Sequence, residues 1–306
     1  MGDWVPLVLS VISASTPLLL AATGELVTEK SGVLNLGVEG MMLAGAVVGF
    51  AASAATGSGA AGIAAGAAAG ALLALIFGVL TLTFLANQVA TGLALTIFGV
   101  GFSALMGAGY VGIALTPLPK LDIAGLSDLP VVGPILFHQD VLVYGSFALL
   151  AGVSWFLYRT HAGLVLRSIG DSHDAAHAIG YPVIAIRYGA VAFGGAMSGL
   201  AGAYMSLAYT PQWAENMTAG RGWIALALVV FATWRPARLL LGAYLFGGIS
   251  LLQLVLQAEG VPIPSQVLTM LPYLVTIVVL VLISRDRTRI RLNAPACLGK
   301  PFYAAG

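Results

Sequence analysis

Residues 16–42 read TPLLLAATGELVTEKSGVLNLGVEGMM, a short charged turn set between two apolar runs and closing on Gly37-Val38-Glu39-Gly40. Beyond it, no Asp, Glu, Lys or Arg occurs from residue 40 to residue 119. That is several times the ~20 residues one helix needs to cross a hydrocarbon core. Charge-free runs also fill 141–158, 188–214, 239–258 and 260–284. Hydrophobic residues make up 59% of the chain and charged residues 8%, against roughly a quarter charged in soluble domains. The pattern predicts an all-α, polytopic membrane protein of about eight to ten crossings. Nine helices are expected, over 5–22, 34–55, 60–85, 88–111, 140–158, 186–208, 214–234, 239–257 and 264–284.

Placing the run RDRTRIR (285–291) inside puts eleven of the 13 basic residues on one side, with only Lys120 and Arg221 opposite, as the positive-inside rule requires. The first apolar run lacks a basic flank and carries Asp3, so it is read as a retained helix rather than a signal peptide. The stretch 222–234 is short for a span and is a candidate half-helix. Asn87-Gln88, polar within an apolar tract, marks a possible break or re-entrant point. Gly62, Gly66 and Gly70 repeat the GxxxG spacing that lets helix backbones approach closely. Single Cys297 excludes a disulfide framework or a thiolate metal site, and a net charge of +1 gives no reason to expect nucleic-acid binding.

The 16–42 block resembles the N-terminal signature of permease subunits from ABC importers that work with a BMP-family lipoprotein. These form the nucleoside-type branch of the ribose and branched-chain amino-acid permease group. The resemblance implies one transmembrane permease domain over 1–306, with a cytoplasmic coupling loop (159–187) and a cytoplasmic tail (285–306), in the bacterial cytoplasmic membrane. It also implies a second related permease, an ABC ATPase, an extracytoplasmic solute-binding lipoprotein, membrane lipid around the helices and a small-molecule cargo. No GxxxxGK[ST] phosphate loop occurs in the chain. ATP and Mg would therefore belong to the partner ATPase, and this chain is expected to be a transport subunit without catalysis, cofactor or metal. A nucleoside is the first expected cargo. A ribose-like sugar or branched-chain amino acid is the alternative, and an ion-coupled secondary transporter is the competing class.

Asn35 and Glu39, four apart, are expected on one face of a helix starting near Leu34. Glu39 serves there either as a helix-end carboxylate or as a functional intramembrane acid. Asn87, Gln88 and Thr91 suit hydrogen bonding to a neutral polar solute, or to backbone freed at a helix break. Phe98 offers a face for a base, or simply packs. In the inside loop, Asp171 or Ser172 can cap a short helix that Gly180 ends and Pro182 stops from continuing. By the resemblance this is the coupling helix, drawing on Gly170, Asp171, Asp174, Ala175, Ala176 and Gly180. His173 and His177 mimic a zinc spacing but lack a third ligand and are read as a polar face. The outer loops, with Pro117, Pro119, Pro130, Pro134, Lys120, Asp122, Asp128 and His138 in one and Trp213 and Glu215 in the other, suit docking of a binding protein.

Overall fold

A computed structural model describes residues 4–122, 127, 129, 132–260, 263–284 and 293–303. Asp3, Asp128, Pro130 and the basic run 285–291 lie outside them. The helices are α1 (Trp4–Lys30), α2 (Val38–Thr56), α3 (Gly59–Gly78), α4 (Gln88–Gly107), α5 (Val141–Arg159), α6 (His161–Asp171), α7 (His173–Ala178), α8 (Val183–Tyr204), α9 (Arg221–Phe231), α10 (Pro236–Ala258) and α11 (Ser265–Ser284). Wider π turns extend α3 through Val79–Thr83 and α8 through Met205–Tyr209. Among the described residues the only β-type pairings are three isolated bridges, so the all-α expectation holds. Seven helices there are long and apolar enough to cross a membrane: α1 to α5, α8 and α10. The expected count of nine exceeds this by α9 and α11.

Three differences from the sequence reading matter. The charged turn is helical: α1 runs unbroken to Lys30 and buries Glu25 and Glu29 one turn apart. The reason is packing, because Gly24 lies against Gly194 and Met197 of α8, and the Thr28 hydroxyl donates to the Ala190 carbonyl (3.3 Å). Second, α2 starts at Val38, so Asn35 sits in a non-helical segment and shares no helix face with Glu39. Third, α9 has 11 residues, about 17 Å at 1.5 Å per residue, short of the full span expected over 214–234.

The centre of the bundle is glycine. Gly45 of α2, Gly66 of α3 and Gly199 of α8 meet main chain to main chain. Gly70 lies on Gly195, and Gly62 on Gly49. A side chain at any of these positions would occupy space already taken by a neighbouring backbone. The expected GxxxG seam on α3 is therefore built inside this subunit, between α2, α3 and α8.

Candidate functional site

The chain leaves helical geometry between α1 and α2 (residues 33–37) in a buried place where unpaired backbone groups are costly. Side chains from three elements meet that need. The Leu34 N–H donates to Gln88 Oε1 (2.8 Å), the Asn35 N–H to Glu25 Oε1 (3.3 Å), and the Gly37 N–H to Asn35 Oδ1 (2.9 Å). On the carbonyl side, the Thr96 hydroxyl donates to Leu36 O (3.0 Å). Two atoms of this ring are left over: Glu25 Oε2 and Gln88 Nε2 are buried without a protein partner.

Glu39, in the first turn of α2 and 4% exposed, accepts three hydrogen bonds from a distant part of the chain. Oε1 takes the Thr218 hydroxyl (2.5 Å) and the Gly220 N–H (2.8 Å), and Oε2 takes the Gly222 N–H (2.6 Å). Gly220 and Gly222 are the N-cap and second residue of α9, where φ at Gly220 is +82°. One carboxylate thus serves two helix N-termini, each of which favours negative charge. Trp213 lies against Gly107 at the end of α4, whereas Gly40, beside Glu39, lies against Leu95 and Thr96 within it. Residues 213–220 therefore descend along α4 into the bundle before α9 begins.

Asn35, Glu39 and Gln88 are thus gathered around 33–37. Asn87 is exposed and caps α4, its Oδ1 accepting the Ala90 N–H (3.0 Å) after a left-handed Leu85 (φ +57°). Thr91 is half-buried, and Phe98 is exposed with its ring stacked on Phe102 at 5.9 Å. These three are not part of the buried ring.

At the end of the bundle where α1 finishes, Ser172 caps α7 (Oγ accepting the Ala175 N–H at 3.3 Å), and Gly180 turns the chain at φ +92° ahead of Pro182. Asp171, Asp174, Ala175 and Gly180 are exposed, as is Ile179 at 74%. Gly170 and Ala176 face inward. Gly170 abuts the backbone of Lys30 and Gly32, and Ala176 packs with Val165, Ile169, Val183 and Phe302. Those two of the expected coupling residues hold the helix in place and present no surface.

Residues 7–283 match the family described as branched-chain amino acid transport system / permease component. The chain belongs to that family. It is an ABC transporter permease component, and a multi-pass membrane protein. The permease is 41% identical to a putative glucose ABC transporter permease protein of Haloferax volcanii over 94% of each chain. It is 34% identical to the guanosine ABC transporter permease protein of Bacillus subtilis, over 96% of this chain and 97% of that one. With the nucleoside ABC transporter permease protein of Lactococcus lactis it shares 31% over 90% and 91%. No solved structure matches.

Sequence reasoning missed four groups of the permease. Glu25 and Glu29 were hidden by the turn reading, although their i, i+4 spacing is the signal that a continued helix would place them on one face. Trp234 donates its indole N–H to Glu29 Oε2 (2.5 Å) from 205 residues away, a pairing no local pattern shows. Arg187, 1% exposed, donates Nε to Ser31 O (3.1 Å), Nη1 to Lys300 O (3.4 Å) and Nη2 to His173 Nδ1 (3.2 Å).

His173 carries a pH consequence. Burial first, then the Arg187 guanidinium and Lys300, lower its pKa, while Asp174 beside it pulls the other way. The folded permease therefore favours neutral imidazole. Its contribution is complete above the ordinary histidine pKa of about 6.5 and is lost as pH falls through the lower folded value. The melting temperature of the purified permease is expected to fall between pH 7 and pH 5, and His173→Gln to remove part of that fall. Identical pH dependence in both proteins would contradict this.

Proposed function

We propose that this permease imports a nucleoside across the bacterial cytoplasmic membrane by alternating access, paired with a second related permease. A separate ATPase docks on the loop 159–187, and a lipoprotein delivers solute to the opposite face. The observation that carries the cargo is near full-length similarity to two permeases named for guanosine and nucleosides. The 41% relative named for glucose favours a sugar as the second reading, and a nucleoside and a sugar share the neutral hydroxyl chemistry that amides and hydroxyls bind well. The exposed Phe98, stacked on Phe102, adds an aromatic face suited to a base.

The loop 159–187 supports the docking reading through its capped α7 and its exposed Asp171, Asp174, Ala175, Ile179 and Gly180. On the opposite face, Lys120, Asp122 and Glu215 are exposed and available to a binding protein, whereas Trp213 is buried and is not an anchor. Glu39, with both oxygens engaged, is a poor ion-coupling acid, consistent with ATP as the energy source.

Uptake of labelled adenosine, uridine and glucose is compared in cells with and without the permease, under ATP depletion and under collapse of the proton gradient. Nucleoside uptake lost only on ATP depletion is the expected result. ATP-dependent glucose uptake alone would overturn the cargo, and uptake that follows the proton gradient would overturn the energy source.

A further inference from the structure

Residues 293–303 fold back over the end of the bundle that carries α6 and α7, and five separate elements hold them there. Lys30 of α1 donates Nζ to Asn293 O (2.7 Å). The Cys297 N–H donates to Gly170 O of α6 (2.8 Å), and the Gly299 N–H to Gly32 O at the start of the α1–α2 junction (3.1 Å). Arg187 of α8 reaches Lys300 O. Phe302, 6% exposed, sets its ring edge-on against His173 and His177 of α7 at 5.2 and 5.3 Å. Beyond it Tyr303 is 67% exposed.

These contacts converge. The hydrophobic cluster under α7 consists of Val165, Ile169, Ala176, Val183 and Phe302, so the tail supplies the large ring that fills the space beneath the helix. Arg187 touches α7 through His173, the tail through Lys300 and the turn after α1 through Ser31. That turn leads directly into 33–37, whose other end is Glu39 and α9. A rotation of α7 therefore bears on residues 31–32, just before the buried ring, through the Arg187 guanidinium and, by way of the Gly299–Gly32 bond of the tail, through Phe302, with main-chain contact between Gly170 of α6 and Gly32 beside them.

We propose that the C-terminal segment 293–303 is a clasp that sets the pose of α7 against the α1–α2 junction, with Phe302 and Arg187 as positioning residues for energy coupling. This rests on the reading of α7 as the ATPase-docking helix. With the clasp closed, a push on α7 is passed to 33–37. With the clasp open, α7 moves on its own and ATP is hydrolysed without solute movement.

The test uses the assembled transporter in liposomes and reads ATP hydrolysed per solute imported, which loss of folded protein alone would not change. The sole cysteine, Cys297, half-buried with Sγ directed at Asp171 O (3.4 Å), reports clasp opening by its rate of maleimide labelling. Phe302→Ala is expected to raise both the ratio and the labelling rate severalfold, with Phe302→Leu restoring most of each. Gly299→Val, which strains a left-handed turn (φ +73°) without emptying the cluster, is the second variant should Phe302→Ala fail to assemble, and the same two rises are expected. Ala175→Trp on the exposed face of α7 separates the two ideas. If it abolishes ATPase association while the clasp variants keep the wild-type ratio, the clasp is overturned and the docking reading stands. If Ala175→Trp also leaves association and uptake unchanged, both are overturned.

Discussion

Glu39→Ala is expected to abolish uptake and to leave little folded permease in the membrane. The substitution strips the acceptor from the Thr218 hydroxyl and from the Gly220 and Gly222 N–H groups in a buried place. Leaving a buried donor unpaired costs about 1–3 kcal/mol each, and three together rival the ~5–15 kcal/mol that holds a typical domain. Glu39→Gln keeps one acceptor but turns an amide toward an N–H donor, so an intermediate melting temperature is expected. Glu39→Asp keeps the charge and withdraws it by one methylene, and is expected to fall between Gln and Ala. Thermal melting in detergent alongside uptake decides the role. If Glu39→Gln melts like the wild type yet transports nothing, the carboxylate meets solute and the helix-locking account fails.

The second large effect is expected at Gly199. A valine there would drive its side chain into the Gly66 carbonyl and the Gly70 backbone nitrogen of α3. Overpacking typically costs about 1–3 kcal/mol where side chains can shift. Here the obstacle is backbone held in a helix, so Gly199→Val is expected to exceed that range and prevent assembly of the bundle. A side chain at Gly101 of α4 would meet no other residue within 4 Å, and Gly101→Val should accumulate and melt like the wild type. Membrane accumulation measured by quantitative blotting checks the pair. Equal accumulation of the two variants would show that the seam is looser than described.

What the sequence made legible followed from local physics. Long charge-free runs announce spans because a charge in hydrocarbon is costly wherever it falls. Ser172, Gly180 and Pro182 announced α7 because caps and breakers act within a few residues. Gly62, Gly66 and Gly70 announced a close approach, though not that Gly45 and Gly199 would be the partners. The misreadings share a cause. Glu25, Glu29 and Lys30 look like a solvated turn until their distant acceptors and donors are known, namely Asn35, Trp234 and the Asn293 carbonyl. Asn35 resembles a helix start because four residues separate it from Glu39. The actual start at Val38 has no side-chain cap at Gly37, and Asn35 instead closes a turn onto the Gly37 N–H. Gln88 was legible as a polar break, while its bond to Leu34 depends on α4 lying beside 33–37.

The glycine seam also bears on how the permease can deform. Side-chain interfaces can repack, whereas helices touching through their main chains have no compliant layer between them. The trio α2, α3 and α8 is therefore expected to move as one unit. Strain imposed from either face is expected at the joints that flank the trio and lack regular helical hydrogen bonding, among them 33–37, 84–87 and 210–220. The first and last of these are tied to each other through Glu39 and its partners at 218–222. Any opening to one side or the other is then expected to be taken up by this linked pair of joints rather than between the helices of the trio.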